Sequence, residues 1–224
     1  MTRNEFLELK NKHSYKNQYK VKHEKELREL VKLAESIDVN MDLNWLDVSA
    51  IKNMCCLFQG SKFNGNISKW DVSNVTSMDS MFRGSEFNGD ISKWNVSNVR
   101  SMDHMFAGSK FNGDISKWDV SNVRNMCCMF YDSKFNGRLP KWNVSNVKYA
   151  SDFNPYLGIN NKEDLEKYIL FLNSIYNNKP IEGPIKEEWW KTRDIAAYVA
   201  NKINKDPKFV NKIKKVICTG DTND

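Results

Sequence analysis

Residues that enzymes and membrane-anchored proteins depend on are scarce in this chain. It has only three histidines, too few to suggest a Ser-His-Asp or Cys-His-Asn arrangement, and it has no glycine loop of the kind that cradles phosphates. No apolar run approaches the length of a membrane span. These absences weigh against an enzyme, and they lead us to expect no cofactor and no membrane-spanning segment.

The cysteines suggest no disulfide framework. Cys55-Cys56 and Cys127-Cys128 are adjacent pairs, and Cys218 is left over. The N-terminus has neither the uninterrupted apolar core nor the cleavage pattern of a secretory signal. A reducing, intracellular setting is therefore the simpler interpretation.

The chain does have an internal repeat of 24 residues. The first copy starts near Leu43, and the last starts at Leu139 and decays. A fixed period of this length indicates units that cannot bury their own apolar faces and stack to form a continuous core. We expect the recurring tryptophans to be buried core positions and not a binding stripe: Trp70, Trp94, Trp118 and Trp142.

Two apolar periods alternate within each copy. Ile67, Trp70 and Val72 are separated by polar residues, which is typical of a short strand. The next apolar set has helical spacing over about two turns, and Gly84 would end that helix. The members of this set are Val75, Met78, Met81 and Phe82. The sequence therefore predicts an α/β solenoid, a stack of about five strand-helix units with helical caps at both ends.

Polar residues between the predicted strand and helix also recur. Ser73-Asn74 and its copies are expected to cap the helix and to satisfy the backbone at the bend. Asn64-Gly65 and its copies predict a turn before the next strand. The acidic residues after two of these turns, Asp90 and Asp114, are expected to be turn residues because their column ends in Arg138 and cannot supply the oxygens that calcium requires.

The block FNGDISKWDVSNVRNM, followed two residues later by MF, resembles the BspA-like leucine-rich repeat of bacterial lipoproteins, protist surface proteins, phages and large viruses. The resemblance covers about residues 41–153. It implies a leucine-rich-repeat-like solenoid that acts in protein binding or adhesion, and it implies no catalytic residues. The missing export signal departs from the surface-protein pattern. A phage or virus-encoded virion component, or an intracellular inhibitor of a host complex, is therefore an alternative.

The flanks divide the chain into three predicted segments. These are a basic arm with an N-terminal capping helix at residues 1–40, the repeat solenoid at 41–155, and a C-terminal helical cap or small helical domain at 156–224. Within the first segment, residues 1–22 are expected to form a short helix and a mobile arm, and residues 24–36 an amphipathic helix.

The net charge is +6, and lysines concentrate at residues 10–25 and 202–215. Lysine-rich ends of this kind can bind nucleic acid, and nucleic-acid binding is the second alternative function. The simpler interpretation is that these lysines only keep the protein soluble, because runs of like charge are weak evidence for a specific partner.

The paired cysteines occupy the same two repeat slots, three copies apart. A strand-like spacing separates them by about 14 Å, too far for one zinc ion to join both pairs. His104 shares the column of Cys56 and Cys128. We expect these slots to be half-exposed helix positions without a metal.

The remaining candidate sites lie on the predicted surface. Arg100, Arg124 and Lys148 form a column without an acidic column directly beside it, and this is the preferred docking stripe for an acidic protein partner. A second ladder consists of Lys69, Lys93, Lys117 and Lys141. Trp190, next to Trp189 on a predicted helix, is a candidate exposed anchor. The sequence thus favours a non-enzymatic protein that binds another protein through its repeat surface.

Overall fold

The computed structural model describes residues 1–135 and 142–153. These residues contain two helices, α1 (Arg3–Lys12) and α2 (Glu24–Ile37), and two short strands, β1 (Tyr19–Lys20) and β2 (Leu46–Asp47). The strands pair in parallel, with Tyr19 opposite Leu46. The predicted C-terminal helices lie outside the described residues, as do Lys141, Trp190 and Cys218.

Helix α2 confirms the amphipathic helix predicted at residues 24–36. His23 accepts a hydrogen bond from the Glu26 backbone N–H at its start, and acidic residues occupy its first turn. One stripe of the helix is buried and belongs to the same apolar cluster as the repeats. Its members are Leu27, Leu30, Val31 and Ala34. The helix therefore covers the first copy, as a cap must.

The prediction of a mobile arm before α2 is wrong for its last residues. Tyr19 N donates to Trp45 O at 2.8 Å and Val21 N donates to Asp47 O at 3.0 Å, so this segment adds a strand to the first copy. The Tyr19 hydroxyl also donates to Glu26 on α2 at 2.6 Å, and this hydrogen bond raises the pKa of Tyr19. The physical reason is burial: Phe6 and Val21 are fully enclosed.

Successive copies are joined by backbone hydrogen bonds that advance by one repeat. Asn53, Ser77, Ser101, Asn125 and Tyr149 form consecutive parallel bridges. A second set of bonds runs through the apolar part of each copy, for example Phe82 N to Met105 O at 2.9 Å. The copies are thus held in register along their length, although each bridge is a single residue.

The strand and helix predicted within each copy are replaced by turns after Leu46–Asp47, within the described residues. Leu57 N donates to Met54 O and Ser61 N donates to Phe58 O, so consecutive four-residue turns follow one another. Their third residues, Cys56 and Gly60, have φ of 57° and 65°. A positive φ at that place is the mark of a type II turn and is incompatible with an α-helix. Gly84 is therefore a turn residue and not the end of a helix. The α/β solenoid class stays a prediction.

A glycine at one of these left-handed positions should stabilise the protein. Ser80 has φ of 54°, where a side chain costs about 1–2 kcal/mol. Because glycine also loses more entropy on folding, we expect Ser80→Gly to raise the free energy of unfolding by about 0.5 kcal/mol. Urea denaturation followed by tryptophan fluorescence would measure the change. A loss of stability would contradict the left-handed assignment.

The tryptophans are core positions, as predicted. Trp70, Trp94, Trp118 and Trp142 are 3–4% exposed. Each indole Nε1–H donates to a backbone carbonyl of the preceding copy, as from Trp94 to Ile67 at 3.1 Å. Phenylalanine columns run beside them: Phe82 and Phe106 are parallel with centroids 5.6 Å apart. The first four copies thus each contribute one ring to a continuous parallel stack, Phe58, Phe82, Phe106 and Phe130, and Phe153 of the last copy meets it edge-on.

Candidate functional site

A cationic groove of about 420 Å³ crosses successive copies on the surface of the stack. It combines a column of mostly charged residues with a column of asparagines. The lining residues are Lys52, Thr76, Arg100 and Arg124, and Asn74, Asn98, Asn122 and Asn146. Two of the three residues of the predicted docking stripe, Arg100 and Arg124, line it directly. Lys148 stands on the next copy of the same column.

The backbone places the residues of the charged column side by side on successive copies, one residue on each hydrogen-bonded level, or rung, of the stack. Thr76 N donates to Lys52 O, Arg100 N to Thr76 O, Arg124 N to Arg100 O and Lys148 N to Arg124 O, each at 2.8 Å. The valine before each of the last three rungs is buried: Val99, Val123 and Val147. Since neighbouring residues of extended chain point to opposite sides, the next side chain faces solvent. Direct bonding between rungs fixes the cation spacing.

The cations of the groove, and Lys148 on the next copy of their column, are exposed and form no ion pair within the described residues. Lys52, Arg100, Arg124 and Lys148 are all exposed. The ion pairs among those residues involve other side chains, namely His104 with Asp103 and Lys110 with Glu86. Lys52 was missed by the sequence analysis, although it occupies the first-copy slot of the same column. Among the described residues, no carboxylate therefore forms an ion pair with these cations.

The asparagine column has a structural role that differs from the predicted helix cap. Asn98 Nδ2 donates to Ser73 O at 2.7 Å, and Asn122 Nδ2 donates to Ser97 O at 2.8 Å. Asn74 and Asn146 make the equivalent bonds. These bonds satisfy carbonyls of the preceding copy, and turns occupy the described residues where a helix was expected. The same hydrogen bonds hold the asparagine amides in one orientation beside the cations.

The lysine ladder lies apart from the groove. Lys69, Lys93 and Lys117 are exposed, and none of them lines it. The Lys69 ammonium lies 3.8 Å from the centroid of the Tyr15 ring, a cation–π contact with the N-terminal segment. The sequence could not indicate this contact, because it depends on how that segment docks. The described part of the ladder and the docking stripe are therefore separate surfaces.

The cysteine and histidine column occupies left-handed turn positions, which corrects the expectation of helix positions. Cys56, His104 and Cys128 have φ of 57°, 54° and 51°. Burial raises the pKa of the Cys128 thiol, with Asp152 and Asp103 adding to the effect. Metal binding requires the thiolate, which this environment disfavours. The described residues hold no group of three or more potential ligands arranged for a metal ion.

The acidic residues considered for calcium are turn residues. Asp90 Oδ1 and Asp114 Oδ1 each accept a hydrogen bond from the backbone N–H two residues on, at 2.9 Å. Hydrogen bonds from the side chain and backbone of Ser92 lower the pKa of Asp90. This is the local bonding expected of an aspartate at a turn.

Among the described residues, no helix has the length and apolar character needed to cross a bilayer.

The comparisons correct the resemblance drawn from the sequence. No curated protein and no solved structure matches the chain. A family model does match, at residues 25–110 and 61–164, and it is not that of the BspA-like leucine-rich repeat. The assignment to that repeat family is therefore wrong. The matched residues cover more than half of the chain, which thus belongs to the family described as Mycoplasma protein of unknown function, DUF285.

Proposed function

We propose that this chain is a non-enzymatic, solenoid-like binding protein that docks an acidic protein partner in its cationic groove. The observation that carries the proposal is the row of exposed, unpaired cations on bonded rungs, within the described residues. Protein interfaces are commonly complementary in potential, and a cationic patch steers an acidic partner toward it. The intracellular and virion settings stay predictions.

The groove supports this proposal better than the lysine ladder does. The guanidinium groups of Arg100 and Arg124 can each bind a carboxylate through two parallel hydrogen bonds, whereas an ammonium acts as a point charge. Lys69 of the ladder already contacts Tyr15. We therefore assign partner contact first to Arg100 and Arg124 and second to Lys52 and Lys148.

The proposal predicts that charge reversal in the groove lowers the affinity for the acidic partner. The double variant Arg100→Glu/Arg124→Glu should weaken partner binding by about tenfold or more, because each lost attraction becomes a repulsion. Tagged protein would be used for affinity capture from a lysate of the organism that makes this chain, with quantitative mass spectrometry. Each protein that wild type captures and the groove variant does not would then be purified, and its affinity for both would be measured by titration.

The matched control reverses two exposed lysines outside the groove, Lys62 and Lys134. Lys62→Glu/Lys134→Glu makes the same change in net charge and should leave affinity within about twofold. Thermal unfolding of both variants tests for an intact fold. Equal capture of every protein by the groove variant and wild type would reject the proposal, as would equal losses in the two variants.

A further inference from the structure

We infer that the segment bound in the groove is an extended acidic stretch of polypeptide that lies along the stack, across the copies. This inference rests on the proposed function and narrows it. Three features of the groove support it: the spacing of its cations, the adjacent row of fixed amides, and the lack of aromatic side chains among the described lining residues.

The first feature is the spacing. Hydrogen-bonded rungs lie about 4.8 Å apart, so Lys52 and Arg124, three rungs apart, are separated by about 14 Å. An extended chain advances about 3.3 Å per residue, so about five residues cover this distance. Carboxylates on one side of such a chain recur about every 7 Å, a mismatch with the rungs that long arginine and lysine side chains can absorb. A short run of Asp or Glu can therefore engage several cations at once.

The second feature is the amide row. Asn74, Asn98, Asn122 and Asn146 each use one Nδ2–H on the preceding copy, at 2.7–2.9 Å. Each amide retains its Oδ1 and a second N–H, because a carboxamide has two donor hydrogens and an acceptor oxygen. The structure gives Oδ1 no hydrogen bond among the described residues. An extended peptide backbone presents N–H and C=O groups that match both.

The same chemistry favours polypeptide over nucleic acid. A phosphodiester backbone has acceptors and no N–H donor, so among the parts of a single strand only the bases could donate to the asparagine oxygens. Single-stranded nucleic acid is also usually held by stacking its bases on aromatic side chains. None of the eight described residues that line the groove is aromatic. The described lining therefore offers contacts to carboxylates and peptide groups and no aromatic ring on which a base could stack.

The test uses the full chain and fluorescent probes in about 50 mM salt, where charge screening is weak. The probes are a peptide of about six glutamates, the same peptide with N-methyl groups on alternate amides, and an oligothymidylate of similar extended length. Anisotropy titration should rank the plain peptide first. Arg100→Glu/Arg124→Glu should weaken its binding by about tenfold, and Lys62→Glu/Lys134→Glu should change it by less than about twofold.

Each probe has an outcome that overturns the inference. An unmodified peptide that fails to bind, or that binds the groove variant as well as wild type, removes the groove as its site. Equal affinity of the N-methylated peptide rules out recognition of peptide N–H groups. Tighter binding of the oligonucleotide supports nucleic acid instead. If the peptide fails while lysate capture still depends on Arg100 and Arg124, the proposed function stands with a folded acidic partner.

Discussion

Replacing Phe106 by alanine is expected to lower the free energy of unfolding by about 3–5 kcal/mol. Phe106 is fully buried in the central part of the stack. Its ring is parallel to those of Phe82 and Phe130, with centroids 5.6 Å away on each side, and lies 4.4 Å from that of Phe111. Truncation opens a cavity that these rings cannot fill, since each is fixed by its own neighbours. Urea denaturation followed by tryptophan fluorescence would measure the loss.

The position of Phe106 makes the effect larger than local packing alone. In a stack, each copy is stabilised by its contacts with the copies on either side. A defect in a middle copy weakens two interfaces, whereas one at an end weakens a single interface. We therefore expect Phe106→Ala to broaden or split the unfolding transition, which circular dichroism and fluorescence would report as different midpoints.

Two substitutions separate the cavity from other effects. Phe106→Leu retains most of the apolar volume and should cost clearly less than the alanine variant. Tyr131→Ala removes an aromatic ring from the fourth copy, but that ring is 49% exposed. It should change stability by about 0.5 kcal/mol or less. A cost for Phe106→Ala no larger than that of Tyr131→Ala would contradict the aromatic stack as the source of stability.

The sequence was sufficient to predict the repeat, its core and its register. The 24-residue step identified which residues share a column, and burial of Trp94 and its counterparts follows from that step. Because the same step defines columns on the surface, the sequence alone was also enough to group Arg100, Arg124 and Lys148. Both the buried core and the surface column could be predicted because similar side chains recur every 24 residues.

The local conformation could not be predicted in the same way. Met78, Met81 and Phe82 have the spacing of a helix face, but consecutive type II turns bury the same residues. The distinguishing feature is the positive φ of Ser80, His104 and Cys128, and none of these residues is glycine. The sequence gives no signal that a serine adopts the left-handed backbone conformation, because hydrogen bonds to the next copy hold it in that conformation. The docking of Tyr15 on Lys69 was missed for a related reason, because it joins segments far apart in the chain.

A second large effect is expected at Gly65, where the sequence indicated only a turn. A Cβ at this position would lie 2.0 Å from the Met41 carbonyl oxygen and 2.7 Å from the Phe63 ring. Its φ lies outside the left-handed region, so the barrier to alanine is steric and not conformational. Gly65→Ala must push the segment after α2 away from the first copy, and we expect a cost of about 3 kcal/mol.

The segment displaced by Gly65→Ala connects α2 to the repeats. Asn64 N donates to Val39 O at 2.7 Å and Asn66 N donates to Met41 O at 3.2 Å, and both bonds border the clash. Their loss should allow α2 to open before the stack unfolds. Hydrogen exchange would then be faster in Glu24–Ile37 than in wild type, with little change around Phe106.

Gly60→Ala is the matched control, because the two glycines lie close together in the chain. An added Cβ at Gly60 has no heavy atom within 4 Å, but its φ is +65°. The cost there should be the conformational one alone, about 1 kcal/mol, without faster exchange in α2. Equal costs for the two variants would mean that the close approach of Met41 is not what requires glycine at position 65. A larger cost at Gly65 with faster exchange in α2 would show that this close approach, together with the buried face of α2, holds the cap on the stack.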